Sequence, residues 1–329
     1  MTIKYDLSTT LQPYPIPVPE NERELSDLDE LGSLLVRRSI SPHASVSAGI
    51  AGNVHLPFSG NMFTPTNGVQ AAHEAIIRLR GERGIVRLTP DDDDLSAYDG
   101  VAEDIGLLNG FRVPEAELLQ QDKNKTLVMS SPNGVSGRIA TLQEVVRMAR
   151  HFQLVVIDER LPAFSMRRLI PLVMEWENVV FVQRFPFIMP GQTADFGWIV
   201  HPTELRDGLS RHTEPVPEES IADVLRFGGT NTFSAARQSA RLKSQLFREM
   251  RKLSIVSVPY PSWSNSLLLR VERGDRDEIV HLLADRDIDV YTPPHANLLQ
   301  HFRVTAVSEE ATIALRDALV EINLELELE

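Results

Sequence analysis

LVVIDERLPAFS (residues 154–165) and, beyond a helical spacer, NVVFVQRFPFIMPGQTADFGWIVHP (178–202) are the segments on which the fold turns. LVVID is a run of large apolar residues closing on an acidic pair, Asp158-Glu159, and NVVFVQRF is a second such run. Strands buried on both faces read this way, with no polar alternation. TLVMS (126–130) is a third, and RIATLQEVVRMARHF between it and LVVID carries Leu142, Val145, Val146 and Ala149 at helical spacing. Strand, helix, strand at this separation is a βαβ unit, which predicts a mostly parallel sheet with helices on both faces. Ligand sites in such sheets form beyond the carboxyl ends of the strands, and Asp158 stands at one of them. FGWIV (196–200) reads as a hairpin partner or antiparallel strand of the same sheet.

Upstream, GIVRL (84–88) is a further short strand. The aspartates Asp91, Asp92, Asp93 and Asp94 that follow repel one another, which predicts a solvated loop. They suit either the acidic start of a helix or a divalent cation. VAEDIGLLNGF (101–111) reads as a helix stopped by glycine. In FTPTNGVQAAHEAIIRL (63–79) a turn feeds a helix with Ala71, Ala75, Ile76 and Leu79 on one face; its first amides, Gly68, Val69 and Gln70, either hold an anion or simply begin the helix. ELSDLDELGSLLVRR (24–38) reads as a short amphipathic helix, and the Ser, Pro and Gly of the next twenty or so residues as turns.

Prolines at 13, 15, 17 and 19 make residues 1–30 an extended arm. Residues 203–252 are polar and helical, ending in a helix of about five turns whose Leu242, Leu246 and Met250 share one face and whose basic residues form a solvated one. From there the pattern is strand, helix, extended segment, strand, helix. The expected organisation is an arm (1–30), a large α/β domain (31–252) and a small C-terminal α+β domain (253–329).

The 329 residues contain no cysteine, which excludes disulfides, thiolate nucleophiles and cysteine-based metal sites. With 33 Lys+Arg against 46 Asp+Glu, the net charge of −13 repels phosphate backbones and anionic lipid, so neither nucleic acid nor membrane is an expected partner. With no long apolar run, a cytoplasmic globular protein is the expectation.

Taken in order, these pieces resemble the fold-type-I pyridoxal-phosphate aminotransferases of class I/II, within them the histidinol-phosphate aminotransferase and threonine-phosphate decarboxylase branch. YDLSTTLQPYPIPVP is similar to its N-terminal arm, TNGVQAAHEAI to its phosphate-cup turn, SSPNGVSG to its Asn-Pro-Asn-Asn-Pro-Thr-Gly loop, and VVIDERLPAF to its Asp-Glu-Ala-Tyr strand end. SWSNSLLLRV resembles its small-domain Asn-Phe-Leu strand, and FRVTAVSEEAT its Arg-Ile-Ser-Val-Gly strand. The resemblance implies a three-layer α/β sandwich with a mostly parallel central sheet, plus the small domain. It also implies a homodimer, with a heterodimer beside an active paralogue left open.

The family's chemistry uses a lysine amine that holds the cofactor aldehyde as a Schiff base. Aligned on Gly197-Trp198, Phe187 stands where that lysine belongs, Pro186 at the phosphate-binding serine and Asp195 at the phosphate-binding arginine. Lys4, Lys123, Lys125, Lys243 and Lys252 all lie outside this loop, so no small shift restores an amine. Gly134 falls at the asparagine and Leu161 at the tyrosine that contact the cofactor hydroxyl, and Ser39-Ile40-Ser41 where the partner subunit's tyrosine is expected. The resemblance also places Gly68, Val69, Gln70 and Tyr98 in the cofactor pocket.

Asp158 matches the carboxylate facing the pyridinium nitrogen, or is a strand-end residue capping its turn. Arg303 matches the arginine that clamps a substrate carboxylate, with Asn265 beside it, or is a surface strand arginine. The expectation is a degenerate relative, a pseudoenzyme without bound pyridoxal phosphate. It would act in assembly or regulation, or on a small amino-acid-like ligand in a cleft made acidic by Asp158, Asp195 and the aspartate run, with His43 and His295 as candidate bases. The alternative is an active aminotransferase or amino-acid decarboxylase in amino-acid or secondary-metabolite biosynthesis.

Overall fold

The computed structural model describes residues 4–10, 12–13, 60–91, 93–160, 169–184, 187–188, 195–221 and 232–328. The helix read at 24–38 and the turns after it, with Ser39-Ile40-Ser41, His43, Leu161 and Pro186, lie outside them.

A seven-stranded sheet carries the larger part of the chain. Its strands are β3 (Phe63–Thr66), β4 (Ile85–Thr89), β5 (Ala102–Gly106), β6 (Thr126–Ser130), β7 (Leu154–Asp158), β8 (Val179–Arg184) and β10 (Gly197–Val200), in the order β3-β10-β8-β7-β6-β4-β5. FGWIV supplies β10, antiparallel to both β3 and β8, while the remaining neighbours run parallel. All residues of β6, β7 and β8 are buried, because both faces are covered. Successive side chains point to opposite faces. Leu127, Met129, Val155, Ile157, Val179 and Phe181 therefore join one core, and Val128, Leu154, Val156, Val180 and Val182 the other.

Helix α1 (Gly68–Arg80) covers the second of these cores and α3 (Leu142–His151) the first, with the short α2 (Glu115–Leu118) beside α3. Both larger helices are rotated from the expected faces. In α1 the buried set is Val69, Ala72, His73, Ala75 and Ile76, while Ala71 and Leu79 are half-buried. In α3 Val145, Met148 and Ala149 face inward and Leu142 is exposed, since the first turn is held by a capping box in which Thr141 and Glu144 bond each other's backbone amides.

The largest departure is β5. Residues 101–111 read as a helix, yet Ala102–Gly106 form the parallel edge strand beside β4. Polar partners from remote segments decide this. Arg87 of β4 bonds Asp104 opposite it through Nε at 2.7 Å and Nη2 at 2.9 Å, and Lys125 reaches Glu103 at 2.6 Å. The charges that suit a helix surface here blunt an exposed sheet edge.

After α4 (Arg206–His212), the long α5 (Thr232–Met250) buries Leu242, Leu246 and Met250 as expected. They pack with β12 (Ser266–Val271), β14 (His301–Thr305), α6 (Arg276–Ala284) and α7 (Glu309–Leu328) into a third core. β11 (Val256–Ser257), β12 and β14 form the C-terminal antiparallel sheet.

The arm, read as an extended segment without regular structure, is in part paired. β1 (Tyr5–Asp6) lies parallel to β13 (Ile288–Asp289), β2 (Gln12–Pro13) lies parallel to β9 (Phe187–Ile188), and Leu7 enters the third core at 1% exposure. Among the described residues no helix is long and apolar enough to cross a membrane.

Candidate functional site

β6 and β7 end side by side, with Ser130 opposite Asp158. Asp158 is buried and accepts from Arg160 Nε at 2.6 Å, from the Arg160 amide at 3.2 Å and from His73 Nε2 at 2.9 Å. A carboxylate paired with a guanidinium can only accept, which puts the imidazole proton on Nε2. Nδ1, 3.0 Å from the Tyr98 hydroxyl, is then the acceptor of that O–H. Burial first, and the nearby Arg160 charge second, lower the His73 pKa from 6.5 to about 3. Proximity to Asp158 does not make an ion pair of this contact: the imidazole is neutral and acts as a hydrogen-bond donor. Burial, reinforced by the Asp158 charge, also raises the Tyr98 pKa well above its ordinary value. Tyr98, His73, Asp158 and Arg160 thus form one buried polar chain, and none of their side chains opens onto solvent.

A second buried chain crosses the neighbouring strands. Gln183 donates to Glu159 at 2.6 Å and accepts from the Trp198 indole at 3.0 Å. It fixes the Gly197-Trp198 end of β10 against β8 and the acidic strand end.

The first turn of α1 begins at Gly68, whose φ of +83° lies in the left-handed region. The exposed Asp195 sets its carboxylate against this turn, Oδ2 standing 2.6 Å from where a Gly68 Cβ would be. Gly197 approaches from the other side, and a Cβ there would lie 2.8 Å from both the carbonyl carbon and the oxygen of Gly68. Backbone cannot yield as a side chain does. Gly197→Ala is therefore expected to destabilise by about 2 kcal/mol or more, the cost of overpacking, read as a lower urea midpoint.

Asp91, expected in a solvated loop, is half-buried. It accepts from Ser130 Oγ, and from the Gly134 amide at 2.9 Å. Asp93 and Asp94 open a 3₁₀ segment running to Tyr98. The turn carrying Gly134 is closed by Asn133 Oδ1, which accepts from the amides of Val135 at 3.2 Å and Ser136 at 2.9 Å. Arg303 is buried rather than on the surface; it donates to the carbonyl of Gly134 and, at 2.5 Å, to that of Ser8 in the arm, with its guanidinium 4.3 Å from the Tyr291 ring. Gly134 is thereby held at its amide by an aspartate and at its carbonyl by an arginine. Asn265, also buried, donates to the Thr10 carbonyl at 2.8 Å.

Phe187 lies in β9, registered with Gln12 of the arm. His295 lines, with Arg87, Asp91, Asp99 and Asp104, a cavity of about 380 Å³ outside the strand ends. Among the described residues no three His, Asp or Glu side chains are grouped to hold a metal ion.

The structure thus joins Asp158 and Tyr98 through His73, Gly68 with Asp195, and Gly134 with Asp91 and Arg303. His73 and Arg160 have no motif of their own in the sequence. The signal for His73 was its spacing with Val69, Ala72 and Ile76, which marks it as inward-facing.

The architecture is that of pyridoxal-phosphate-dependent aminotransferases: the chain superposes over 98% of its length on the histidinol-phosphate aminotransferase of Clostridium acetobutylicum, covering 100% of that chain with a TM-score of 0.75 at 13% identity. The enzyme of the same name from Sinorhizobium meliloti, solved in complex with pyridoxal-5'-phosphate, gives 0.75 at 16% identity, covering 98% of this chain and 92% of that one. In sequence, the chain is 26% identical over 276 residues to the histidinol-phosphate aminotransferase of Thermococcus gammatolerans, 78% of this chain and 74% of the relative. It is 22% identical over 174 residues to that of Pyrococcus furiosus, 53% of this chain. The match spans about half the length of the first curated relatives, 51% of the Pyrococcus furiosus protein and 58% of an Arabidopsis thaliana one. No family model matches the chain.

Proposed function

We propose that this chain is a degenerate relative of the class I/II aminotransferases, one that forms no internal Schiff base and serves a structural or regulatory role, or binds an amino-acid-like carboxylate at Arg303 without pyridoxal phosphate. The observation that carries the reading is at the turn of α1, where the chain's own Asp195 carboxylate faces Gly68. An added phosphate would meet a like charge there, a repulsion of about 4 kcal/mol at ~4 Å and an intermediate dielectric. Asp158 supports the same reading, because its oxygens already serve Arg160 and His73. So does the lysine distribution, with none between Lys125 and Lys243.

These residues do not fit the cofactor. Arg303 remains suited to a carboxylate by its planar fork, which such a ligand would engage in place of the Ser8 carbonyl. The purified protein is expected to show no absorbance beyond that of its aromatic residues, and addition of pyridoxal phosphate is expected to leave its melting temperature unchanged. A co-purifying chromophore that survives dialysis, or a melting temperature that rises with cofactor concentration, would overturn the proposal. Stabilisation by free amino acids that is lost in Arg303→Met would support the carboxylate site.

A further inference from the structure

The chain contains three Asn-Gly pairs, Asn67-Gly68, Asn109-Gly110 and Asn133-Gly134, and the fold holds them in different ways. In such a pair the glycine nitrogen can attack the asparagine carboxamide, because no Cβ on the glycine obstructs the approach. The attack needs a side chain free to swing toward the next peptide and a nitrogen free to lose its proton. Asn133-Gly134 has neither. Asn133 is buried; its Oδ1 accepts from the Val135 amide at 3.2 Å and from the Ser136 amide and hydroxyl at 2.9 Å, and its Nδ2 donates to the Pro90 carbonyl at 2.9 Å. The Gly134 N–H is itself held by Asp91 at 2.9 Å. At Asn67-Gly68 the asparagine is exposed and its side chain caps nothing, but the Asp195 carboxylate stands against Gly68. That charge opposes the amide anion that would attack.

Asn109-Gly110 is restrained on neither count. Asn109 is exposed in a turn closed by the Leu108 N–H, which donates to the Arg112 carbonyl at 2.9 Å. Among the described residues neither its carboxamide nor the Gly110 N–H makes a hydrogen bond. Nothing lies within 4 Å of where a Gly110 Cβ would be, so the space around the reacting atoms is open. The turn also carries two successive left-handed residues, Gly110 at φ +74° and Phe111 at φ +58°.

We propose that Asn109 is a self-modifying site, which passes through a cyclic imide to isoaspartate and aspartate. The deprotonated Gly110 nitrogen bonds to Asn109 Cγ, the bond from Cγ to Nδ2 breaks, and the nitrogen leaves as ammonia with the proton returned to it. Water then opens the imide. Attack at the main-chain carbonyl gives isoaspartate, and attack at Cγ gives aspartate. One water enters and one ammonia departs, with no oxidant or reductant. Either product places a carboxylate on a cavity of about 260 Å³ whose lining, with Leu107, Phe111, Tyr260 and Leu298, carries no charged side chain. Isoaspartate also lengthens the main chain of the turn by one carbon. The proposal does not depend on the state of the Asp158 cleft, since both reacting groups belong to the turn.

The test keeps the full-length protein in warm, mildly alkaline buffer and follows by mass spectrometry the replacement of NH2 by OH in the peptides carrying Asn67, Asn109 and Asn133. Asn133 must break several hydrogen bonds to react, so conversion at Asn109 at least about tenfold faster than at Asn133 is the expected result, with Asn67 also slower than Asn109. In concentrated urea, where the restraints are gone, the three sites should react at similar rates. A rate at Asn109 no higher than at either of the others in the folded protein overturns the proposal. So does a lead for Asn109 that persists undiminished in urea, which would place it in the local sequence rather than the fold. Because the comparison is made within one molecule, it does not require a folded variant; Asn109→Gln, a change at an exposed position, should lose the fast conversion alone.

Discussion

Asp158→Ala is expected to lower the unfolding free energy by about 3–5 kcal/mol, the cost of breaking a buried ion pair by removing one partner. The Arg160 guanidinium, 5% exposed, would lose the carboxylate 2.6 Å from its Nε, and the His73 N–H its acceptor at 2.9 Å. Most of the loss is the desolvation cost of a charge left in the interior, rather than the worth of the contact. Removing both charges should therefore recover much of it: Asp158→Leu combined with Arg160→Met is expected to be more stable than Asp158→Leu alone. Urea unfolding measures both, provided the slope is unchanged. A loss below about 1 kcal/mol for Asp158→Ala would show that the pair is not desolvated as described.

Acid should destabilise the protein in part through the His73 imidazole. His73 has a pKa of about 3 in the folded chain against 6.5 when solvated, so below pH 6.5 the unfolded chain takes up a proton that the native state refuses. Above pH 6.5 the residue is neutral in both states and its contribution is constant. Between 6.5 and about 3 its contribution to stability falls by about 1.4 kcal/mol per pH unit, about 5 kcal/mol in total. Carboxylates elsewhere, and the buried imidazoles of His201 and His301, titrate in part of this window in any variant, so the informative quantity is the difference between wild type and His73→Gln, which retains hydrogen-bonding groups and cannot titrate. The variant's stability curve should be shallower by one proton over this range. Identical slopes would mean that the imidazole is reached by water or charged in the native state.

The central strands were legible because burial on both faces leaves an unbroken apolar run, and β6, β7 and β8 have that signature. The antiparallel β10 and the inward Leu242, Leu246 and Met250 of α5 were legible for similar reasons of pattern. β5 was not. Glu103 and Asp104 carry no strand signal, and the Lys125 and Arg87 that settle them belong to other segments. The face of α1 was misjudged by a fraction of a turn because a histidine was not counted as an inward residue. At the candidate site, the reading of Phe187, Pro186 and Asp195 as departures from the resembled pattern rests on the sequence alone. What Arg303 touches could not, since its acceptors are backbone carbonyls of Gly134 and Ser8, which any residue types would supply equally.

The arm bears on how the protein is made. Tyr5 bonds Glu310 across 305 residues, and Leu7 sits in a core built from the C-terminal strands and helices. During synthesis on the ribosome these residues emerge long before the surface that receives them, so docking of the arm is a closing step of folding. Until then it must avoid pairing with other chains. Prolines at 13, 15, 17 and 19 remove the N–H donors that a foreign strand would need, which suits a segment that has to wait.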